Sequence, residues 1–337
     1  MRPNVSRSVV SVLCVLVSAV VSVLGHERDV EWSTPENLGP VINTPLFDHR
    51  SPQISSDGRS LYFGATGPQG FGGLDLYVSH RSNPKAEWEA PVNLGPTING
   101  SANDSNGFPT DDGHYLVFNS NRAGGCGGND LYVSYRADPG DDTGWEAPIN
   151  LGCRVNSSAS DSGPVLIHDR ATRRYLLFFA SGRAGGLGLN DFYVSQQAED
   201  GTFGAPTLIP EISSVFDDNK LTVRPDGRDI FFSSNRPGGG SGAQGFNIWT
   251  AHRDSSTDSW SAPALALESA GLPSVSANGK SLYVAVQQPG SLMNGIPYLN
   301  DIAVSHAVRL PEDDRRPKPP IGRESWPGSL SASSSLP

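Results

Sequence analysis

A pattern that returns at a nearly fixed interval constrains this chain more than any other feature. Asp57-Gly58-Arg59-Ser60-Leu61-Tyr62-Phe63 is followed by Gly72-Gly73-Leu74-Asp75-Leu76-Tyr77-Val78-Ser79. The same order of tight turn, strand, glycine-rich loop and strand recurs from Asp112 to Ser134. A third copy keeps Phe179 and Asn190–Ser195 but stretches its turn over His168–Arg174. Later copies begin at Asp226-Gly227 and Asn278-Gly279. A second marker, an aromatic with proline three residues on, sits at Trp32, Trp88, Trp145, Phe203 and Trp260, at intervals of 56, 57, 58 and 57 residues. Self-similarity of this kind marks an array in which each repeat is one supersecondary unit.

Within a period the β-branched and aromatic residues alternate with polar ones between Gly, Asn, Asp and Pro, which predicts four short strands. In the first full period these are Ser51–Ser55, Ser60–Ala65, Asp75–His80 and Trp88–Leu94, and Asp57-Gly58 is a hairpin signal between the first two. No window carries an apolar repeat of helical period. A β-sandwich gives no reason for equal periods, whereas radial repetition of four-stranded sheets is a β-propeller. The fold class expected is therefore all-β: a five-bladed β-propeller of four-stranded antiparallel blades. Residues 31–38 form a fourth strand without the three before it, and Ser274–Ala307 supplies three strands without a fourth. Joining them closes the ring and hides two sheet edges.

Arg2 and Arg7 precede an apolar run from Val9 to Leu24, so residues 1–25 read as a cleaved signal peptide. The run falls short of the ~20 apolar residues of a membrane span, which leaves an uncleaved anchor as the weaker alternative. The domain assignment is 1–25 signal, 26–310 propeller and 311–337 a Pro/Ser-rich tail with little to bury, expected to be disordered. Without Arg2 and Arg7, 23 basic residues face 35 acidic ones, a formal charge of −12. Nucleic acid and anionic lipid are disfavoured as partners. The chain is expected to be a periplasmic or secreted monomer with no membrane span in its mature part. In such an oxidising compartment Cys126 and Cys153, placed on one face of blade two, read as a disulfide, with two free thiols as the alternative.

The motifs Asp-Gly-x-x-Leu-x-Phe, Ser120-Asn121-Arg122-x-Gly124-Gly125-x-Gly127-Gly128-x-Asp130-Leu-Tyr-x-Ser and Trp-x-x-Pro-x-Asn-Leu-Gly-x-x-Ile-Asn resemble the TolB-type, WD-repeat-like propeller repeat of exported bacterial proteins. They resemble especially the version found in OmpA-family envelope proteins. The resemblance spans Glu31 to Arg309 and implies an interaction platform. The chain lacks an OmpA-like peptidoglycan-binding segment, and Gln287-Gln288-Pro289-Gly290 replaces the Ser-Asn-Arg motif in the last copy.

In a propeller the loops between strands two and three share a face with those that lead to the next blade. Asn121, Arg122, Arg183, Asn235 and Arg236 are thereby placed beside Asp48, Asp104, Asp161 and Asp217 around the channel mouth. Such a ring offers a polar ligand or a hard cation such as Ca²⁺ its oxygens. Equally, residues repeated in every blade serve each blade, Asp by holding its own turn and Arg by tying strands through a carboxylate. Asp75, Asp130, Asp191 and Asp301 at the start of strand three read as structural, capping the glycine loops. Neither a Gly-x-Ser-x-Gly elbow nor a His-Glu-x-x-His motif is present. His26, as a mature N-terminus, reads as a chance consequence of cleavage rather than a copper ligand. The expectation is an exported binding module that recognises an envelope or extracellular protein or glycan on its loop face, without a cofactor. The alternative is a carbohydrate-active hydrolase or lyase that uses paired channel carboxylates.

Overall fold

The computed structural model describes residues 30–309 apart from 46, 68, 170–171, 240–244, 288–291, 294–295 and 298–299. The signal peptide and the Pro/Ser-rich tail expected above lie outside the described residues. The repeat folds as expected, into five antiparallel blades with no helix among the described residues. Blade one is His49–Ile54, Ser60–Ala65, Asp75–His80 and Val92–Asn93, counted outward from the axis. Blade two is Asp104–Pro109, Tyr115–Ser120, Asp130–Tyr135 and Ile149–Asn150. Blade three is Asp161–Asp169, Arg174–Ser181, Asp191–Gln196 and Thr207–Leu208. Blade four is Asp218–Val223, Asp229–Ser234, Asn247–His252 and Ala264–Leu267.

Blade five joins the two ends of the chain. Gly271–Val275, Ser281–Gln287 and Asn300–Arg309 are completed by Glu36–Asn37, and Val30–Trp32 also pairs with Asn300–Arg309. The closure copies a bond set used elsewhere in the ring. Asn99 grips the backbone of Leu76 through both N–H and C=O, and Asn156 does the same to Leu131. Across the seam Asn43 takes the N–H of Ile302 at 2.7 Å and donates to its carbonyl at 2.8 Å. The asparagine six residues after the marker's Asn-Leu-Gly asparagine thus ties the chain leaving three of the outer strands to the third strand of the same blade.

The aromatic marker also acquires a physical role. Arg81, Arg136 and Arg253 lie 4.1, 4.3 and 4.1 Å from the ring centroids of Trp88, Trp145 and Trp260. Arg136 Nη2 then donates to the hydroxyl of Tyr62 in the preceding blade, and Arg81 Nη2 to Tyr283 across the seam. Because the tryptophans are spent on these stacks and Pro91 donates no N–H, the outer strand of blade one shrinks from the expected Trp88–Leu94 to Val92–Asn93. Apolar residues of neighbouring blades pack face to face, as Tyr62, Leu76 and Leu94 do with Leu116, Phe118 and Tyr132.

Every inner strand carries a bulge at one position. The pairing register shifts between Arg50 and Gln53, Ser105 and Phe108, Ser162 and Val165, Asn219 and Leu221, and Gly271 and Ser274. At each shift one residue turns left-handed: Ser51, Asn106, Gly163, Lys220 and Leu272, with φ of 54, 55, 61, 20 and 55°. An extra residue bends the strand and breaks its pairing locally. Five such bends form a waist around the axis.

Candidate functional site

On the loop face the structure divides the expected carboxylate ring into two columns. Asp104 and Asp161 oppose Ser120 and Ser181, and the residue of blade four that opposes Ser234 is Asp218, not Asp217. In blade one that position belongs to His49, which opposes Ala65. Asp48 and Asp217 stand one residue earlier, at the position that Asn103 and Ser160 hold in blades two and three. The adjacent Asp217-Asp218 pair concealed this one-residue offset in the sequence.

The first column is a set of buried ion pairs. Arg122 Nη2 meets Asp104 at 2.6 Å, Arg183 Nη2 meets Asp161 at 2.7 Å and Arg236 Nη2 meets Asp218 at 2.6 Å, all with carboxylate side chains 0% exposed. The same Nη2 atoms donate to the carbonyls of Ile98, Val155 and Ile212, so each arginine ties a blade to the connection entering it. Blade one has Gly67 where the arginine would stand, and His49 there accepts from Thr44 N–H instead. Burial pushes the His49 imidazole below its ordinary value and keeps it neutral, so charge and counter-charge have been replaced together.

The second column and the asparagines are also engaged. Asp48 accepts from Arg50 and from both the backbone N–H and the side-chain amide of Asn300. Asp217 accepts from Asn190, while Asn121 and Asn235 accept from the N–H groups of Asn103 and Asp217. Asp75 and Asp191 cap their glycine loops through Phe71 N–H and Leu187 N–H at 2.5 and 2.6 Å, and Asp130 caps its loop through Cys126 N–H. Cys126 and Cys153 are disulfide-bonded. The cavity on this face, beside Arg50, Asn219 and Asn300, measures only about 80 Å³.

The larger opening lies beyond the waist, where the turns between strands one and two converge. It is an axial cavity of about 350 Å³ whose walls include Gln53, Thr110, Asp111, Asp112, His168 and Tyr175. Its size falls at the low end of the ~300–1,000 Å³ typical of small-molecule sites. Asp112 is the first residue of an Asp-Gly turn and accepts from Thr110 Oγ1 at 2.6 Å and from His114 N–H. Desolvation opposes its ionisation, but these hydrogen bonds hold the Asp112 carboxyl below the usual range. Asp111 is exposed and has no hydrogen bond or ion pair among the described residues. Tyr175 projects from the neighbouring third blade with the His168 ring packed edge-on, centroids 5.2 Å apart. Burial, followed by the charge of Asp112 and Asp111, raises the Tyr175 phenol and keeps it protonated. Gln53 is 5% exposed, and its Oε1 has no partner while its Nε2 donates to Ile54 O.

These residues were not singled out by the sequence, because Asp-Gly turns and the stretched His168–Arg174 hairpin look like solvated connections. Their signal is departure from the repeat. Asp111 inserts a second carboxylate before the turn aspartate, and His168 and Tyr175 belong to the stretched hairpin that has neither Asp-Gly nor the Asn278-Gly279 of the fifth blade.

No protein-family model matches the chain, and no curated protein is similar to it. The TolB-type resemblance therefore rests on its repeat motifs alone. Solved structures share the fold. An α-L-arabinofuranosidase from Lactobacillus brevis is 14% identical over 81% of this chain and 94% of its own, with a TM-score of 0.56. The catalytic domain of a Coprinopsis cinerea GH62 α-L-arabinofuranosidase is 15% identical over 83% and 97%, TM-score 0.55. A family 117 glycoside hydrolase from Zobellia galactanivorans is 13% identical over 82% and 90%, TM-score 0.52. The expectation of a non-enzymatic binding module on the loop face is corrected by this company, which consists of glycoside hydrolases, and by the engagement of the loop-face carboxylates in the chain's own bonds.

Proposed function

We propose that this chain is a carbohydrate-active hydrolase that works in the axial cavity on the hairpin face. Identities of 13–15% to glycoside hydrolases carry the fold and leave the chemistry to this chain's own residues. The observation that carries the reading is the cavity of about 350 Å³ lined by a protonated Tyr175 and by Asp111, which has no hydrogen bond or ion pair among the described residues. Hydrolysis of a glycosidic bond needs a base for the attacking water and a donor for the departing oxygen. Asp111 takes the water's proton as its oxygen bonds to the anomeric carbon, and the Tyr175 phenol gives its proton to the leaving oxygen. Asp112, held ionised by its turn, adds negative potential where positive charge develops on the sugar ring. His168 holds the Tyr175 ring in place from the side.

The setting proposed is outside the cytoplasm, with residues 1–25 removed and 311–337 outside the fold. The Cys126–Cys153 disulfide and the motif resemblance to exported TolB-type propellers support it. The test is release of reducing ends from a panel of plant, algal and bacterial polysaccharides and aryl glycosides. Hydrolysis by the wild type that falls at least about a hundredfold in Asp111→Asn, with thermal stability unchanged, supports the reading. No hydrolysis of any member, or full activity in Asp111→Asn, overturns it.

A further inference from the structure

One cross-strand pair on the hairpin face departs from its counterparts. In blades one, four and five, the residue that opens the second strand is bonded to the histidine opposite it on the third. These pairs are Ser60–His80, Asp229–His252 and Ser281–His306, joined through the histidine Nδ1 at 3.0, 2.7 and 3.1 Å. In blade two the same place holds Tyr115 opposite Tyr135, with ring centroids 5.2 Å apart. The His114 ring stacks on Tyr135 at 5.9 Å and is itself held by Arg136 O, 2.9 Å from its Nδ1. Tyr115 is 42% exposed. Tyr62 and Tyr283 spend their hydroxyls on Arg136 and Arg81, whereas those of Tyr115 and Tyr135 have no hydrogen bond among the described residues.

The pair continues the axial cavity. The inner strand of blade three packs against Tyr115–Ser120. After burial, the groups that act on the phenol of Tyr175, a residue of the cavity wall, are Asp112, Tyr115 and Asp111. Tyr135, on the third strand, stands farther from the axis than Tyr115. A pyranose ring turns C–H groups to its faces and hydroxyls to its edge. Covering such a face with an aromatic ring removes apolar area from water. Tyrosine does this at small entropic cost, and its hydroxyl can bond the sugar's edge. We infer that Tyr115 and Tyr135 form an outer sugar-binding surface, which takes the second and third pyranose rings of a glycan whose terminal ring lies in the axial cavity. The inference rests on the hydrolase reading for the ring inside the cavity and on this pair for the rings outside it.

The test is calorimetric titration of the full chain carrying Asp111→Asn, so that no probe is cleaved. The probes are β-1,4-glucan, β-1,4-xylan and β-1,3-glucan oligosaccharides of two to five units. At least one series is expected to tighten by at least about tenfold from dimer to tetramer and then level off. Adding Tyr115→Ser and Tyr135→His, which places there the residues of blades one and five, removes this gain at unchanged melting temperature and leaves the dimer within about twofold. Tyr115→Phe, which keeps the ring, keeps the gain to within about threefold. No gain with length in any series, or a gain that survives the double substitution, overturns the inference. A length gain lost on double substitution, with no series cleaved by the wild type, sinks the hydrolase reading and leaves the inference standing. Cleavage without a length gain does the reverse.

Discussion

Lys220 of the fourth blade donates its Nζ to the carbonyl of Pro52 in the first blade, 3.2 Å away, skipping the fifth blade that lies between them in the ring. It is the left-handed residue of its bulge, 2% exposed, and its Cα lies against Gly163 of the third blade. One carbonyl is a weak substitute for water around an ammonium group, so desolvation brings the amine down to about 7.

The stability consequence has a definite sign. An unfolded lysine titrates near 10.4, so between about pH 7 and pH 10 the unfolded chain holds the extra proton and stability rises with pH. At and below neutral pH the buried amine costs on the order of 4–5 kcal/mol. Lys220→Met is expected to stabilise the protein at pH 7 by roughly 2–4 kcal/mol, with the gain vanishing above about pH 10. Denaturant unfolding at both pH values checks this, and a destabilised Met variant would show that the amine is better solvated than its burial implies.

The arginine–aspartate pairs behave differently from the lysine because each charge has its complement. Removing one partner strands the other: Arg183→Met leaves Asp161, 0% exposed, without its counter-ion. A loss of about 3–5 kcal/mol is expected, most of which returns in the Asp161→Asn/Arg183→Met double variant. Blade one already carries such a double replacement in His49 and Gly67. Unfolding midpoints of Arg183→Met, Asp161→Asn and the double variant, set against wild type, measure the coupling.

A pH effect of opposite sense is expected at the junction of blades one and two. His80 Nε2 lies 2.8 Å from Asp142 Oδ2, and the hydrogen bond to Asp142 raises the histidine above its ordinary value. This contribution is fully present below about pH 6.5 and is lost as pH rises through the raised value. His80 is 37% exposed, so screening limits the effect to about 0.5–1 kcal/mol. Comparing wild type with His80→Gln at pH 5.5 and pH 8.5 should show a difference only at the lower value, to within about 0.3 kcal/mol.

The disulfide spans 27 residues and joins the glycine loop of blade two to the connection that leaves it. Its reduction should lower stability by about 3 kcal/mol on the chain-entropy account. Thermal melts with and without reductant, set against the Cys126→Ser/Cys153→Ser variant, read that difference directly.

The architecture was legible because the repeat encodes its own bonds. Trp88, Trp145 and Trp260 recur as platforms for arginines, Asn43, Asn99 and Asn156 as clamps on the neighbouring strand, and Asp-Gly or Asn-Gly as the turn with Gly58, Gly113, Gly227 and Gly279 at φ near +70°. One unpaired strand at the start of the pattern and three at its end sufficed to foresee the closure. The site was less legible for the same reason. Conspicuous repeated charges such as Asp104 and Arg122 hold blades together, and a one-residue ambiguity at Asp217-Asp218 hid which aspartate belongs to which column. Asp111, His168 and Tyr175 depart from the repeat, but they stand in or beside the hairpin turns at the ends of strands that bulge at Ser51, Asn106, Gly163, Lys220 and Leu272. Sequence periodicity carries no signal for such a bend.

The most direct test of the central claim, a sugar site at the hairpin end of the axis, is a crystal structure of the Asp111→Asn protein soaked with an oligosaccharide that the wild type cleaves. Sugar density in the axial cavity, with a ring between Gln53, residue 111 and Tyr175, is the predicted result. Density on the opposite face, over Arg50 and Asn300, with the axial cavity empty, would contradict it.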